Sequence, residues 1–224
     1  MENKKISVAI DGPAGAGKST LAKAVSKELG FIYVDTGALY RAIGLFFIRK
    51  GFKPESLEDL TPYLSDIKVE LKFVDGAQLV FLCGEDVSTL IRTPEASMMA
   101  SAVSAKKEVR AFLLDMQRTL AKENNVVMDG RDIGTVVLPN ATVKIFLTAD
   151  AEERAKRRYK ELLEKGINET YEAVLEDMKK RDYNDSHREI APLKPAPDSV
   201  IADTTSKNLE ESKQLLLDII KEKI

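Results

Sequence analysis

The sequence predicts an α/β fold in which a parallel sheet is covered by helices on both faces. Short apolar runs alternate with stretches of helical periodicity, which is the pattern of strands joined by crossover helices. The strand candidates are 6–10, 31–34, 126–128, 143–148 and 199–202. The chain has 224 residues, of which 44% are hydrophobic and 31% charged, enough for one well-filled domain with a small insertion. Ligands are expected beyond the carboxyl ends of the strands.

Apolar residues at helical spacing in 21–29, followed by Gly30, predict a helix of about three turns with a glycine stop. Further helices are expected at 94–124, 152–165, 170–181 and 209–220. Residues 67–73 instead alternate between apolar and charged side chains, and Asp75 with Gly76 supplies a turn before a second apolar run. This break in the rhythm predicts a small antiparallel insertion over 61–93.

Composition argues against several classes of function, including polynucleotide binding, although local basic patches remain possible. The formal net charge is -2, so the chain lacks the positive field that draws proteins to polynucleotides. Cys83 is the only cysteine, which excludes an internal disulfide and a cysteine-rich zinc site and suits a reducing compartment. No apolar run approaches a membrane span. We therefore expect a cytoplasmic protein without a membrane partner, a monomer in the simplest case.

The most informative motif lies between the first strand and the first helix. Residues 12–19 read Gly-Pro-Ala-Gly-Ala-Gly-Lys-Ser and fit the pattern G-x-x-x-x-G-K-[ST]. In this motif the backbone N–H groups cradle phosphates, Lys18 reaches the β- and γ-phosphates, and Ser19 offers its hydroxyl to Mg²⁺. The predicted ATP-contacting residues are Gly12, Pro13, Ala14, Gly15, Ala16, Gly17, Lys18, Ser19 and, as a fallback hydroxyl, Thr20.

A phosphate cradle by itself does not identify the reaction. The Asp-x-x-Gly and Asn-Lys-x-Asp segments of guanine-specific switches do not occur here, which argues against a GTPase. Arginines grouped with carboxylates instead follow the strand candidates. Guanidinium groups suit phosphate, and a site that passes a phosphoryl group between two phosphorylated molecules needs several of them.

Four motifs in order resemble those of the bacterial cytidylate kinases, a family of nucleoside monophosphate kinases. They are residues 10–20, 35–41 (Asp-Thr-Gly-Ala-Leu-Tyr-Arg), 129–135 (Asp-Gly-Arg-Asp-Ile-Gly-Thr) and 181–188 (Arg-Asp-Tyr-Asn-Asp-Ser-His-Arg). The resemblance implies one P-loop domain over 1–224, with a five-stranded parallel sheet, a monophosphate-binding insertion at 61–93 and a lid at 150–166. It also implies transfer of the γ-phosphoryl group of Mg·ATP to CMP or dCMP in pyrimidine nucleotide metabolism.

The resemblance places Arg110 and residues 129–135 at the cytidine monophosphate. Cytosine presents an amine donor beside ring acceptors, so Asp132 is expected to accept from the amine while Arg110 or Ser101 donates to the ring. Uracil reverses two of these groups, which predicts UMP to be a poorer substrate. The Thr36 hydroxyl is expected to contact the base, and its methyl group to narrow the pocket. Tyr40 either lines the same pocket or only packs.

The resemblance also assigns the remaining acceptor contacts. The monophosphate clamp is expected to consist of Arg41, Arg131 and Arg188, with Arg181 and Asp185 toward the ribose, although the individual roles are interchangeable. Residues with expected roles in phosphoryl transfer are Lys18, Arg131, Arg157 and Arg188.

Arg154, Arg157 and Arg158 share a helix with several glutamates, and two interpretations of this segment stay open. One is a salt-bridged solvent face. The other is a lid that closes over ATP and supplies positive charge to the transferring group.

Two rival functions also stay open. The chain could phosphorylate another nucleotide or a small metabolite, or it could be an ATP-dependent binding or sensor module. Pairing of Asp132 with Arg110 favours an acceptor base that offers an amine, and the lack of an extra domain weighs against the sensor.

Overall fold

A computed structural model describes residues 5–74, 76–164 and 166–224. Its strands are β1 (Ser7–Asp11), β2 (Ile32–Asp35), β3 (Val69–Val74), β4 (Ala77–Leu82), β5 (Glu85–Asp86), β6 (Val126–Gly130), β7 (Val143–Thr148) and β8 (Val200–Asp203). Five of them form one sheet in the order β2-β6-β1-β7-β8. Every neighbouring pair in this sheet is parallel. The predicted five-stranded parallel sheet is therefore confirmed.

Helices cover both faces of this sheet. They are α1 (Lys18–Leu29), α2 (Thr36–Arg49), α3 (Thr61–Leu64), α4 (Pro94–Ser104), α5 (Lys107–Glu123), α6 (Ala151–Glu164), α7 (Tyr171–His187) and α8 (Leu209–Lys221). Within the described ranges, none of them is long and apolar enough to cross a membrane.

Four helices differ from the sequence prediction. The expected helix over 94–124 is two helices, α4 and α5, and α7 continues to His187 rather than ending at 181. The pattern analysis did not anticipate α2, because this helix is apolar on most of its surface and lacks a single stripe. Asp35 begins it, since its carboxylate accepts a hydrogen bond from the Ala38 N–H. Lys165, in the predicted lid, lies outside the described residues.

Both faces of the parallel sheet are buried, which explains why its strands are apolar runs rather than alternating ones. In β1, Val8 and Ile10 contribute to the core layer beneath α1 and α8, whereas Ala9 belongs to the layer on the opposite face. A third apolar cluster joins α2, α4 and the insertion.

The predicted antiparallel insertion is confirmed as a separate sheet of β3, β4 and β5. Register pairs Val69 with Leu82 and Val74 with Ala77, and the short third strand was not predicted. The turn expected at Asp75 lies outside the described residues. Buried side chains of the insertion, including Val80 and Ile91, share one core with α2, so the insertion is packed against the helix that follows β2.

Three aspartates lie side by side where neighbouring strands end. Asp35 of β2 is in register with Asp129 of β6, and Asp129 is in register with Ile10, one residue before Asp11. All three are buried. Two segments start from this carboxyl edge: residues 12–19, called the phosphate loop after their motif, and the residues that follow β6. This edge is the expected place for ligands in such a sheet.

Gly12 begins the phosphate loop at a point where no side chain fits. A Cβ built on Gly12 would lie 2.0 Å from the main-chain oxygen of Leu147 in β7. We expect the Gly12→Ala variant to lose about 3 kcal/mol of unfolding free energy in urea titrations, since the contact is with backbone rather than a movable side chain.

Gly30→Ala is the matched control. Gly30 also has positive φ, but its added Cβ would have no atom within 4 Å. Conformational strain alone then costs about 1 kcal/mol. Equal losses in the two variants would contradict the steric explanation.

Candidate functional site

Residues 12–19 form a tight loop that joins β1 to α1. Gly17 takes a left-handed conformation (φ 84°) immediately before the helix begins at Lys18. The Lys18 Nζ donates to the carbonyl oxygen of Pro13 at 2.7 Å, so the buried ammonium closes the loop on itself. Burial, followed by the positive charge of Arg131, lowers the pKa of Lys18. The Lys18 side chain is thus held in a desolvated setting against the main chain of the loop.

Ser19 lies against the buried carboxylate of Asp129. Its hydroxyl donates to Asp129 Oδ2 at 2.9 Å, while the Tyr33 hydroxyl donates to Asp129 Oδ1 at 2.8 Å. Burial, with the charge of Asp35 as the next cause, raises the pKa of Asp129 to about 6. Lys18 and the two hydroxyl donors act in the opposite direction. A hydroxyl and a carboxylate oxygen therefore meet directly beside the phosphate loop.

Two helices hold the phosphate loop at Ala14. Arg154 of α6 donates to the Ala14 carbonyl at 2.7 Å, and the Ala14 N–H donates to Asp182 Oδ1 of α7 at 3.2 Å. Arg154 and Asp182 also form an ion pair at 2.7 Å. Both main-chain polar groups of Ala14 are thus satisfied by one ion pair that links α6 to α7.

Asp35 joins the end of β2 to the insertion. Its Oδ2 accepts from Arg41 of α2 at 2.9 Å and from Arg92 at 3.0 Å. The Asp35 N–H also donates to the side chain of Gln78 in β4 at 2.8 Å. Although burial opposes ionisation, the two arginines hold the pKa of Asp35 below its ordinary value.

Asp132 is the meeting point of two further arginines. Arg110 of α5 forms a hydrogen-bonded ion pair with Asp132 Oδ2, and Arg188 Nη2 lies 3.5 Å from Asp132 Oδ1. Ser104 assists, since its carbonyl accepts from Arg110 at 3.1 Å. The Arg110 guanidinium also lies over the Tyr40 ring, 5.7 Å from its centroid. A carboxylate and two guanidiniums are therefore held together in a buried setting.

Asp185 organises the last pair of predicted arginines. Arg131 Nε donates to Asp185 Oδ2 at 2.7 Å. Burial opposes ionisation of Asp185, yet Arg131 and then Arg181 hold its pKa below the usual value. Burial and the neighbouring charge of Arg131 lower the pKa of Arg181, because two like charges share this region.

Several guanidinium nitrogens at this edge have unused donors. In the described part of the chain, Arg41 Nε, Arg181 Nε and Arg188 Nη2 are buried and have no hydrogen-bond partner. Buried donors without partners are costly, so natural proteins keep few of them outside functional sites. These donors have the chemistry to receive an anion.

The other predicted residues are placed less directly. Thr36 is buried and donates to the main-chain oxygen of Asp129 at 2.7 Å, and Ser101 is half-buried on α4. The three arginines of α6 do not converge. Arg157 donates to the Thr204 carbonyl at 2.9 Å, and Arg158 pairs with Glu161 at 3.1 Å, whereas Arg154 is buried at the phosphate loop.

The sequence analysis assigned no role to several residues that shape this edge. Asp11 accepts from the N–H groups of Ile133 and Gly134, both at 2.7 Å, and so fixes the segment after β6. Burial raises the pKa of Asp11 to about 6. Asp35 stands at a strand end, a position that was available as a signal, and so does Asp129, which the sequence analysis placed only within the segment at the cytidine monophosphate. No sequence pattern pointed to Arg92 or Ser104 as site residues, because the groups that they contact at the site are distant in sequence or outside any motif.

Comparisons with known proteins identify the family of this chain. Residues 8–222 match the family model described as cytidylate kinase. A curated cytidylate kinase from Caldicellulosiruptor bescii is 54% identical over 216 residues, which cover 96% of each chain. Another from Ligilactobacillus salivarius is 48% identical over 220 residues and 98% of each chain.

One solved structure adds information about the fold alone. It is an uncharacterized protein from Eubacterium ventriosum, which superimposes with a TM-score of 0.54 at 12% identity and covers 97% of this chain and 99% of that one. The family match and the curated relatives, which extend over nearly the whole sequence, lead to one conclusion: the chain belongs to the cytidylate kinase family.

Proposed function

We propose that the protein transfers the γ-phosphoryl group of Mg·ATP to CMP or dCMP. An oxygen of the acceptor's phosphate bonds to the γ-phosphorus, the bond from that phosphorus to the ADP oxygen breaks, and CDP or dCDP is formed with ADP. The observation that carries the proposal is the buried Asp132 carboxylate held by Arg110 and Arg188 beside a phosphate loop. Family membership supports the same reaction.

The donor half of the site is the phosphate loop. Its amide groups and Lys18 bind the phosphates, and Lys18 offsets the charge that builds up during transfer. The attacking phosphate oxygen is already largely ionised near neutral pH, so no general base is required. Catalysis then rests on alignment and electrostatics.

The residues beside the loop fit Mg²⁺, which prefers oxygen ligands. The Ser19 hydroxyl and the Asp129 carboxylate meet at 2.9 Å. Over residues 5–74, 76–164 and 166–224 no group of three or more His, Cys, Asp or Glu side chains forms an all-protein metal cage. Ser19 and Asp129 are the residues that would hold Mg²⁺. Such an ion would neutralise charge on the transferring group.

The acceptor's phosphate is assigned to a group of arginines at this edge, of which Arg41 and Arg188 have unused donors. Arg41, Arg131 and Arg188 form the clamp, and Arg92 joins it because it shares Asp35 with Arg41. Each arginine is already oriented by a carboxylate, so less conformational entropy is lost when phosphate binds. Arg181 and Asp185 lie together beside Arg131 and are assigned to the ribose.

The base is assigned to Asp132 and its neighbours. Asp132 accepts from the cytosine amine, and Arg110 with Ser101 donates to the ring. Tyr40 supports Arg110 from the apolar side. Thr36 contributes to the wall, since its hydroxyl is committed to the Asp129 carbonyl.

We assign the insertion at 61–93 to monophosphate binding and residues 150–166 to a lid. Gln78 and Arg92 support the first assignment, because both connect the insertion to Asp35 at the acceptor side. Arg154 supports the second, since it already contacts the phosphate loop. Arg157 and Arg158 have partners that closure over ATP would exchange for phosphate oxygens.

All assigned contacts come from one chain, so a monomer suffices for activity.

The single cysteine, Cys83, is exposed, which suits the reducing cytoplasm.

The test is ADP release measured across CMP, dCMP, UMP, AMP and GMP with Mg·ATP. We expect CMP and dCMP to be used, with kcat/KM for UMP at least about tenfold lower, because one base contact is worth about 1–3 kcal/mol. Equal kcat/KM for UMP and CMP would refute the role of Asp132. ATP binding without acceptor-dependent turnover would indicate a sensor.

A further inference from the structure

Tyr33 has a buried hydroxyl that the proposed reaction does not use. Tyr33 is 7% exposed, and its hydroxyl donates to Asp129 Oδ1 at 2.8 Å. The other oxygen, Oδ2, accepts from Ser19 at 2.9 Å. The Asp129 carboxylate is therefore held at one oxygen by Tyr33 of β2 and at the other oxygen by Ser19 of the phosphate loop.

The position of Tyr33 is determined by the sheet. Strand β2 pairs with β6 in parallel, and the register sets Tyr33 opposite Val127 and Asp35 opposite Asp129. The Tyr33 ring belongs to the core cluster with Val25 and Val127. Packing thus fixes the ring, and the ring fixes where its hydroxyl meets Asp129.

A buried carboxylate with one free oxygen can rotate about its terminal torsion, which is broad for aspartate. Tyr33 removes this freedom because it occupies Oδ1. Oδ2 is then presented to Ser19, the residue assigned to the metal. Outer hydrogen bonds that orient ligands in this way commonly change metal affinity by about 10- to 100-fold when they are removed.

We propose that Tyr33 is a positioning residue for the divalent cation bound with ATP. It holds Asp129 so that its Oδ2 and the Ser19 hydroxyl face the ion together. This inference rests on the proposed function, because it uses the cation site assigned there. It goes further in assigning a role to a residue outside the phosphate loop and the arginine clusters.

The test uses Tyr33→Phe, which keeps the packed ring and removes only the hydroxyl. Binding of Mn²⁺ is measured by electron paramagnetic resonance with saturating ATP and no acceptor, so no turnover is needed. We expect the Mn²⁺ affinity to fall about tenfold or more. Binding of ATP in EDTA and of CMP alone should change less than about twofold, since neither depends on the orientation of Asp129.

Tyr63→Phe is the matched control. The Tyr63 ring packs against Phe47 and Phe52, away from Asp129, and its substitution should leave Mn²⁺ affinity unchanged. Raising Mg²⁺ should restore kcat of Tyr33→Phe toward the wild-type value.

Three outcomes would overturn the proposal. They are Mn²⁺ affinity unchanged in Tyr33→Phe, equal losses of metal-free and metal-bound ATP binding, and loss of the native circular dichroism spectrum. The last would show that the hydroxyl serves the fold. Failure of the proposed function is distinguishable, because wild-type protein would then bind Mn·ATP without releasing ADP in response to CMP.

Discussion

We expect the Asp132→Asn variant to lower kcat/KM for CMP by about 10- to 100-fold, which corresponds to about 1–3 kcal/mol for a base contact. The loss has two sources. The amide is a weaker acceptor for the cytosine amine than a carboxylate, and Arg110 and Arg188 lose the charge that orients them. Steady-state kinetics with CMP and UMP measure the effect.

The CMP to UMP preference should shrink in the same variant, because an amide can also donate to the carbonyl of uracil. Asp198→Asn is the matched control, since Asp198 is exposed and pairs with Lys144 away from the acceptor residues. An unchanged preference in Asp132→Asn would remove Asp132 from base recognition, even if overall activity fell.

We expect the Lys18→Met variant to lower kcat by about 100- to 1000-fold, the range found when one donor to a developing charge is removed. Methionine preserves much of the buried volume but supplies neither the charge nor the hydrogen bond to Pro13. The affinity for CMP, measured by titration calorimetry without ATP, should change little because Lys18 belongs to the donor half.

Lys27→Met is the control for Lys18→Met. Lys27 lies on the same helix but is exposed, so its substitution should leave kcat within about twofold of wild type. A similar kcat for Lys18→Met and wild type would contradict the assignment of residues 12–19 to the donor phosphates.

Local patterns were sufficient for the parallel sheet, the phosphate loop and the antiparallel insertion. Each depends on residues close in sequence, such as the apolar run of β1 followed by the glycines of the loop. The pattern failed for α2, whose burial on most sides leaves no amphipathic stripe, and for the break between α4 and α5. In both cases packing, rather than periodicity, decides the helix.

The pairings within the candidate site could not be predicted because they join distant residues. Tyr33 meets Asp129 across 96 positions, and Arg92 meets Asp35 across 57. The arginines of α6 show that closeness in sequence does not predict a shared partner either. They are neighbours in sequence, yet Arg154 contacts the phosphate loop, Arg157 contacts Thr204 and Arg158 faces Glu161. Spacing identifies the candidates, whereas the tertiary fold assigns their partners.

The ion pair at Ala14 has a mechanical consequence. Arg154 and Asp182 belong to different helices, yet each holds one main-chain group of the same residue. If α6 and α7 move away together, the Ala14 carbonyl and the Ala14 N–H therefore lose their hydrogen-bond partners at the same time. We therefore expect movement of the α6–α7 pair and loosening of residues 12–19 to be coupled, because the same ion pair serves both.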